Sequence, residues 1–95
     1  MKIKFTPQGR AQFLSVVKYI QSDNSNAALL LRSDVESKLR RLVTFPESGR
    51  AIPEFPDFPF REVIVGNYRF FYKVQNGTIW IVAVWHGAQF PNSPA

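Results

Sequence analysis

Residues 67–87 read NYRFFYKVQNGTIWIVAVWHG, and their reading decides the fold. Two apolar runs, Tyr68–Gln75 and Thr78–His86, are rich in aromatic and β-branched residues and flank Asn76-Gly77, the pair that favours a two-residue hairpin turn. Upstream, Phe60–Val65 is a third such run, joined to the second by Gly66-Asn67. The spacing predicts a three-stranded antiparallel meander. Two-residue loops fix the register. Val65 then faces Tyr68, Val63 faces Phe70 and Arg61 faces Tyr72, while across the second turn Phe70 faces Ala83 and Tyr68 faces Trp85. Side chains alternate along a strand, so one face holds Val63, Val65, Tyr68, Phe70, Tyr72, Ile81, Ala83 and Trp85. The other holds Glu62, Ile64, Arg69, Phe71, Lys73, Trp80, Val84 and His86. The charged residues of the run thus share a second face with aromatics, and Glu62 and His86 are diagonal neighbours of Arg69.

Toward the N-terminus the pattern changes period. Lys2-Ile3-Lys4-Phe5 alternates as a short strand, and Thr6-Pro7 supplies a hydroxyl cap followed by the residue best tolerated at the first helical position. Phe13, Val16, Val17 and Ile20 form one helical stripe, which is expected to end near Gln21–Asn24, with a turn over residues 22–26. Ala28, Leu31, Val35, Leu39 and Leu42 form a second stripe behind an Asn24 or Ser25 cap. Both stripes are expected to pack on the face that carries Phe70 and Ile81. Arg32, Lys38, Arg40 and Arg41 on the second helix read as a solvated face, and those near its C-terminus match the helix dipole.

Between the helices and the meander lies PESGRAIPEFPDFP, residues 46–59. Its prolines remove backbone donors and exclude a long helix or a central strand. Phe55, Phe58 and Phe60 argue that this loop is pinned to the core, since disordered segments are poor in aromatics. Ninety-five residues without cysteine form one domain, residues 1–95, with no disulfide framework, and a single histidine excludes most zinc sites. Neither metal nor cofactor is expected. No run approaches the length of a membrane span and the first residues do not resemble a signal peptide, so a cytoplasmic location is expected. The net charge of +5 favours a polyanion or an acidic protein partner.

Several motifs in this order carry a resemblance. Pro46-Glu47-Ser48-Gly49-Arg50 resembles a P-x-S-G-R signature, Phe60-Arg61-Glu62-Val63 and Tyr68-Arg69-Phe70-Phe71-Tyr72 resemble an R-x-h and a Y-R-h-h-Y strand, and Val84-Trp85-His86-Gly87-Ala88-Gln89 resembles a V-h-H-G-x-R ending. Together they are similar to the RelE/ParE superfamily of type II toxins, the ParE-like branch above all. The resemblance implies an α+β fold in β-α-α-β-β-β order, with an antiparallel sheet and two helices packed on one face. It also implies a growth inhibitor, of the kind that stabilises plasmids, neutralised by a cognate antitoxin. For the ParE-like branch the implied target is DNA gyrase, bound through a surface that would include Arg61, Arg69, Phe71, Lys73, Trp80 and His86. The alternative, resembling the YoeB-like branch, is a nuclease acting on ribosome-bound mRNA. There Glu62 would take a proton from a ribose hydroxyl, Arg69 would stabilise the transition-state charge and His86 would protonate the leaving oxygen. Gln89 stands where the family carries a basic residue, and no tyrosine lies near the end of the sequence. Both departures favour binding over cleavage. A nucleic-acid-binding regulator rests on charge alone. Read as a surface residue between short aliphatic neighbours, Arg69 is expected to change stability by no more than about 0.5 kcal/mol when truncated.

Overall fold

The computed structural model describes residues 1–87; Ala88 and Gln89 of the last motif lie outside the described residues. Strand β1 spans Lys2–Phe5, helix α1 Pro7–Asp23, helix α2 Ser25–Thr44, and strands β2 to β5 span Arg50–Ala51, Arg61–Val65, Tyr68–Gln75 and Thr78–His86. The meander forms as expected and its strands lie at the heart of a sheet ordered β1-β5-β4-β3-β2. Two features were not expected. β1 joins β5 in parallel, so the sheet is mixed. Arg50 and Ala51 escape the neighbouring prolines for long enough to pair with Glu62 and Arg61 as an edge strand of two residues.

Local chemistry sets the element ends. Thr6 Oγ1 accepts from Gly9 N–H at 3.1 Å, and Asn24 Oδ1 accepts from Ala27 N–H at 3.1 Å. The five-residue turn expected between the helices contracts to Asn24 alone, which ends α1 and caps α2 with one extended residue. Asn76 and Gly77 both have positive φ, at 52° and 72°, and Gly66 has φ 58°. These are the backbone states that tight hairpin turns need.

The register across the first turn matches the sequence reading at Val65–Tyr68, Val63–Phe70 and Arg61–Tyr72. Across the second turn it holds only from Gln75 to Tyr72, which faces Ile81. Phe71 then faces Ala83, because Val82 is an extra residue in β5. This β-bulge reverses the alternation beyond it. Phe70 therefore faces Val84 and Tyr68 faces His86, not Ala83 and Trp85 as expected from the turn. Val84 joins the helix-side core, while Ala83 and Trp85 move to the second face. A turn fixes the register only as far as the ladder stays regular. The bulge is anchored by α1: Thr6 Oγ1 donates to Ile81 O and Val82 O at 3.3 and 3.4 Å, and Gln12 Oε1 accepts from Val84 N–H at 2.8 Å. Gly9 lies so close that an added Cβ would collide with the Ile81 carbonyl.

Two hydrophobic clusters result, one on each face. Leu31, Val35, Leu39 and Leu42 of α2 meet Phe70, Tyr72, Ile79 and Ile81, with Phe13, Val16 and Ile20 of α1 beside them. Among the described residues no helix packs on the second face. Ile52, Phe55 and Phe60 from the loop cover Phe71, Val82 and Ala83 instead. The loop is thus the second layer of that half of the sheet.

Candidate functional site

Glu62 and Arg69 come together as the meander register requires, since Arg69 faces Ile64 and Glu62 is two residues away on the same pleat. Arg69 Nε donates to Glu62 Oε2 at 3.0 Å and Nη2 to Glu62 Oε1 at 2.7 Å. Glu54, from the loop, accepts the outer side of the same guanidinium at 2.8 Å from Nη1 and 2.6 Å from Nη2. Arg50 of β2 reaches Glu62 Oε2 at 3.5 Å. The side chains of Glu62 and Arg69 are 0% and 5% exposed, and that of Glu54 18%. The guanidinium also lies 5.1 Å from the Phe71 ring centroid. The hydrogen bonds from Arg69 hold the Glu54 carboxyl down at about 2, against an ordinary 4.5. The two carboxylates in turn push the pKa of Arg69 up. Chemically this is a closed network. Both bidentate edges of the guanidinium already meet a carboxylate, so a phosphate finds no fork to pair with while Glu54 stays in place.

The P-x-S-G-R segment is explained by the same packing. Tyr72 Oη donates to Pro46 O at 2.8 Å and accepts from Gly49 N–H at 2.9 Å, while Arg61 Nη1 donates to Gly49 O at 2.9 Å. A Cβ at Gly49 would overlap the Tyr72 ring and lie 2.8 Å from Glu62 O, so only glycine fits. Burial pushes the Tyr72 phenol up in pKa. The motif fastens the loop to β3 and β4 and places Arg50 against Glu62.

The remaining predicted residues scatter. Phe71 is fully buried beneath Ile52 and Phe60, so it offers no contact surface. Lys73, Trp80 and Arg61 are partly exposed. His86 was expected on the second face, but the bulge turns it to the other pleat at the strand end, where it meets the Tyr68 ring edge-on at 5.6 Å between centroids. It still lines a cleft with Arg69, Arg50, Glu54, Ile64 and Asn67. The residue that sequence reasoning missed is Glu54. Its position between Pro53 and Phe55, inside a loop pinned by aromatics, was the available signal. A second cleft, at the C-terminal end of α2, is lined by Arg41, Arg61, Lys73, Glu47 and Tyr72. Among the described residues no cluster of histidine, cysteine, aspartate or glutamate could hold a metal ion, and no helix is long and apolar enough to cross a membrane.

Comparison with known proteins agrees with this architecture. The family model described as ParE toxin of type II toxin-antitoxin system, parDE, matches residues 3–91. No curated protein sequence matches the chain. Among solved structures, the chain is similar to one titled "Chromosomal ParDE TA system from P. aeruginosa", with a TM-score of 0.70 and 17% identity, over 90% of this chain and 95% of that one. At that identity the structural likeness speaks for the fold, while the family match spans nearly the whole sequence. The chain therefore belongs to the ParE toxin family of type II toxin–antitoxin systems.

Proposed function

We propose that this toxin inhibits growth by binding DNA gyrase, as the ParE-like resemblance implies, and that a cognate antitoxin neutralises it in the cytoplasm. The observation that carries the binding mode is the closure of the Glu62–Arg69–Glu54 network. A general base must reach the proton it removes, yet the Glu62 side chain is 0% exposed and is held by Arg69 and Arg50. An inhibitor that works by surface complementarity needs no such access. The exposed cations of the chain and its +5 charge suit an acidic antitoxin segment that folds as it binds.

One observation favours the nuclease as a second reading: Arg69 and His86 line a common cleft. In that reading Glu54 must leave Arg69 before RNA enters. Inducing the chain in cells while following the DNA damage response and transcript integrity separates the two. The gyrase reading expects DNA damage signalling with intact transcripts. Cleavage at translated codons with normal supercoiling would replace it with the nuclease.

A further inference from the structure

Beside the loop, the second face of the sheet carries a row of side chains that the ion network does not use and that borders the second hydrophobic cluster. Lys4 of β1 faces Trp80 of β5, and Trp80 faces Lys73 of β4, so the three residues form one cross-strand row. Lys4 Nζ stands 5.8 Å from the Trp80 ring centroid and Lys73 Nζ 6.0 Å from that of Phe60. Phe60 meets Phe58 at 5.8 Å, and Phe58, 37% exposed, stacks on Phe55 at 5.1 Å. From the β1 edge to the loop the order is ammonium, indole, ammonium, then the buried ring of Phe60 and the exposed ring of Phe58. Trp80 and Lys73 are partly exposed and Lys4 is exposed.

We infer that this strip binds a single strand of nucleic acid, Trp80 and Phe58 stacking on bases and the ammonium groups of Lys4 and Lys73 pairing with the phosphates. Two features select this ligand over an acidic peptide. The backbone groups of β5, at the middle of the row, are already paired with β1 and β4, so a peptide crossing there must bind by side chains alone, the open edge of β1 lying only at one end of the row. Aromatic faces alternating with cations are the combination that holds unpaired bases without reading their sequence, because every base has a π-face. Charge also agrees, since the nearby carboxylates Glu54 and Glu62 are paired with Arg69 and Arg50. The ligand is held without chemistry, and the inference does not depend on gyrase being the protein target.

The test is Trp80 fluorescence on a Trp85→Phe background, titrated with a twelve-nucleotide oligothymidylate at several salt concentrations. Quenching is expected, with an affinity that falls as salt rises. Lys4→Gln and Lys73→Gln should each weaken binding and flatten the slope of log K against log salt by about 0.7, the single-strand value per phosphate contact. Trp80→Leu, followed by anisotropy of labelled oligonucleotide, should weaken binding at least about fivefold, in line with the loss of one stacked base. A polyglutamate peptide of matched charge should compete poorly. The two lysine variants leave the core untouched and keep the test valid even if the Trp80 variant unfolds. Absence of binding at low salt, unchanged salt slopes in both lysine variants, or equal competition by polyglutamate would each overturn the inference, the last in favour of an acidic protein.

Discussion

At the residue scale, the burial of Arg69 replaces the view of it as a surface residue whose loss costs little. It is 4% exposed between two carboxylates, one of them fully buried. Breaking a buried ion pair by removing one partner strands the other charge, at about 3–5 kcal/mol. We expect Arg69→Ala to lower unfolding stability by that amount in urea titration, against the ~0.5 kcal/mol of an exposed site. A loss below about 1 kcal/mol would show that water reaches Glu62 freely. Glu54 gives a second, pH-based test. Its folded pKa of about 2 lies below the ordinary 4.5, so the stability it contributes is fully present above pH 4.5 and is lost as pH falls toward 2. The stability gap between the native chain and Glu54→Gln should therefore narrow across that window, and a gap independent of pH would contradict the bond to Arg69. Pairing of Glu62 with Arg69 was legible, because two-residue turns set the diagonal. Its burial was not, because it depends on Ile52 and Glu54 arriving from a loop whose path no local pattern encodes.

At the element scale, the helices were the most legible part. The α2 stripe read from the sequence, Ala28, Leu31, Val35, Leu39 and Leu42, is the set of residues that α2 buries, since a 3.6-residue period is a local property of the chain. The meander turns were legible for the same reason. The bulge at Val82 was not: an extra residue in a uniformly apolar strand leaves no mark in composition, and it is fixed by tertiary bonds from Thr6 and Gln12. Gln12→Leu removes the acceptor of Val84 N–H and should cost about 1–3 kcal/mol, the penalty for an unsatisfied buried donor; native-like stability would mean that α1 does not hold the bulge. Gly49→Ala forces a methyl group into the Tyr72 ring and should cost about 1–3 kcal/mol by overpacking. Calorimetry measures both. If Gly49→Ala left the melting temperature unchanged, the P-x-S-G-R segment would have to be mobile and free for a binding role.

At the scale of the whole molecule, the helices shield one face of the sheet and a proline-rich loop shields half of the other, and Glu62 and Arg69, two of the three residues that resemble a catalytic set, tie that loop to the sheet through Glu54 and Arg50. Family and order of elements were legible from ordered motifs, while the target was not, because one fold carries different activities and function resides in the site. His86, exposed at a strand end, separates the readings without threatening the fold. A general acid contributes about 10²–10⁴-fold to a rate, so His86→Gln would abolish toxicity in a nuclease, whereas in a gyrase inhibitor, where His86 is one of several contact residues, it should weaken the effect only in part in a growth assay. The most direct test of binding over cleavage uses the purified toxin in two reactions, DNA supercoiling by gyrase and translation of a defined transcript. Dose-dependent loss of supercoiling beside an intact transcript is the predicted result. Full supercoiling beside a transcript cut at its codons would contradict it.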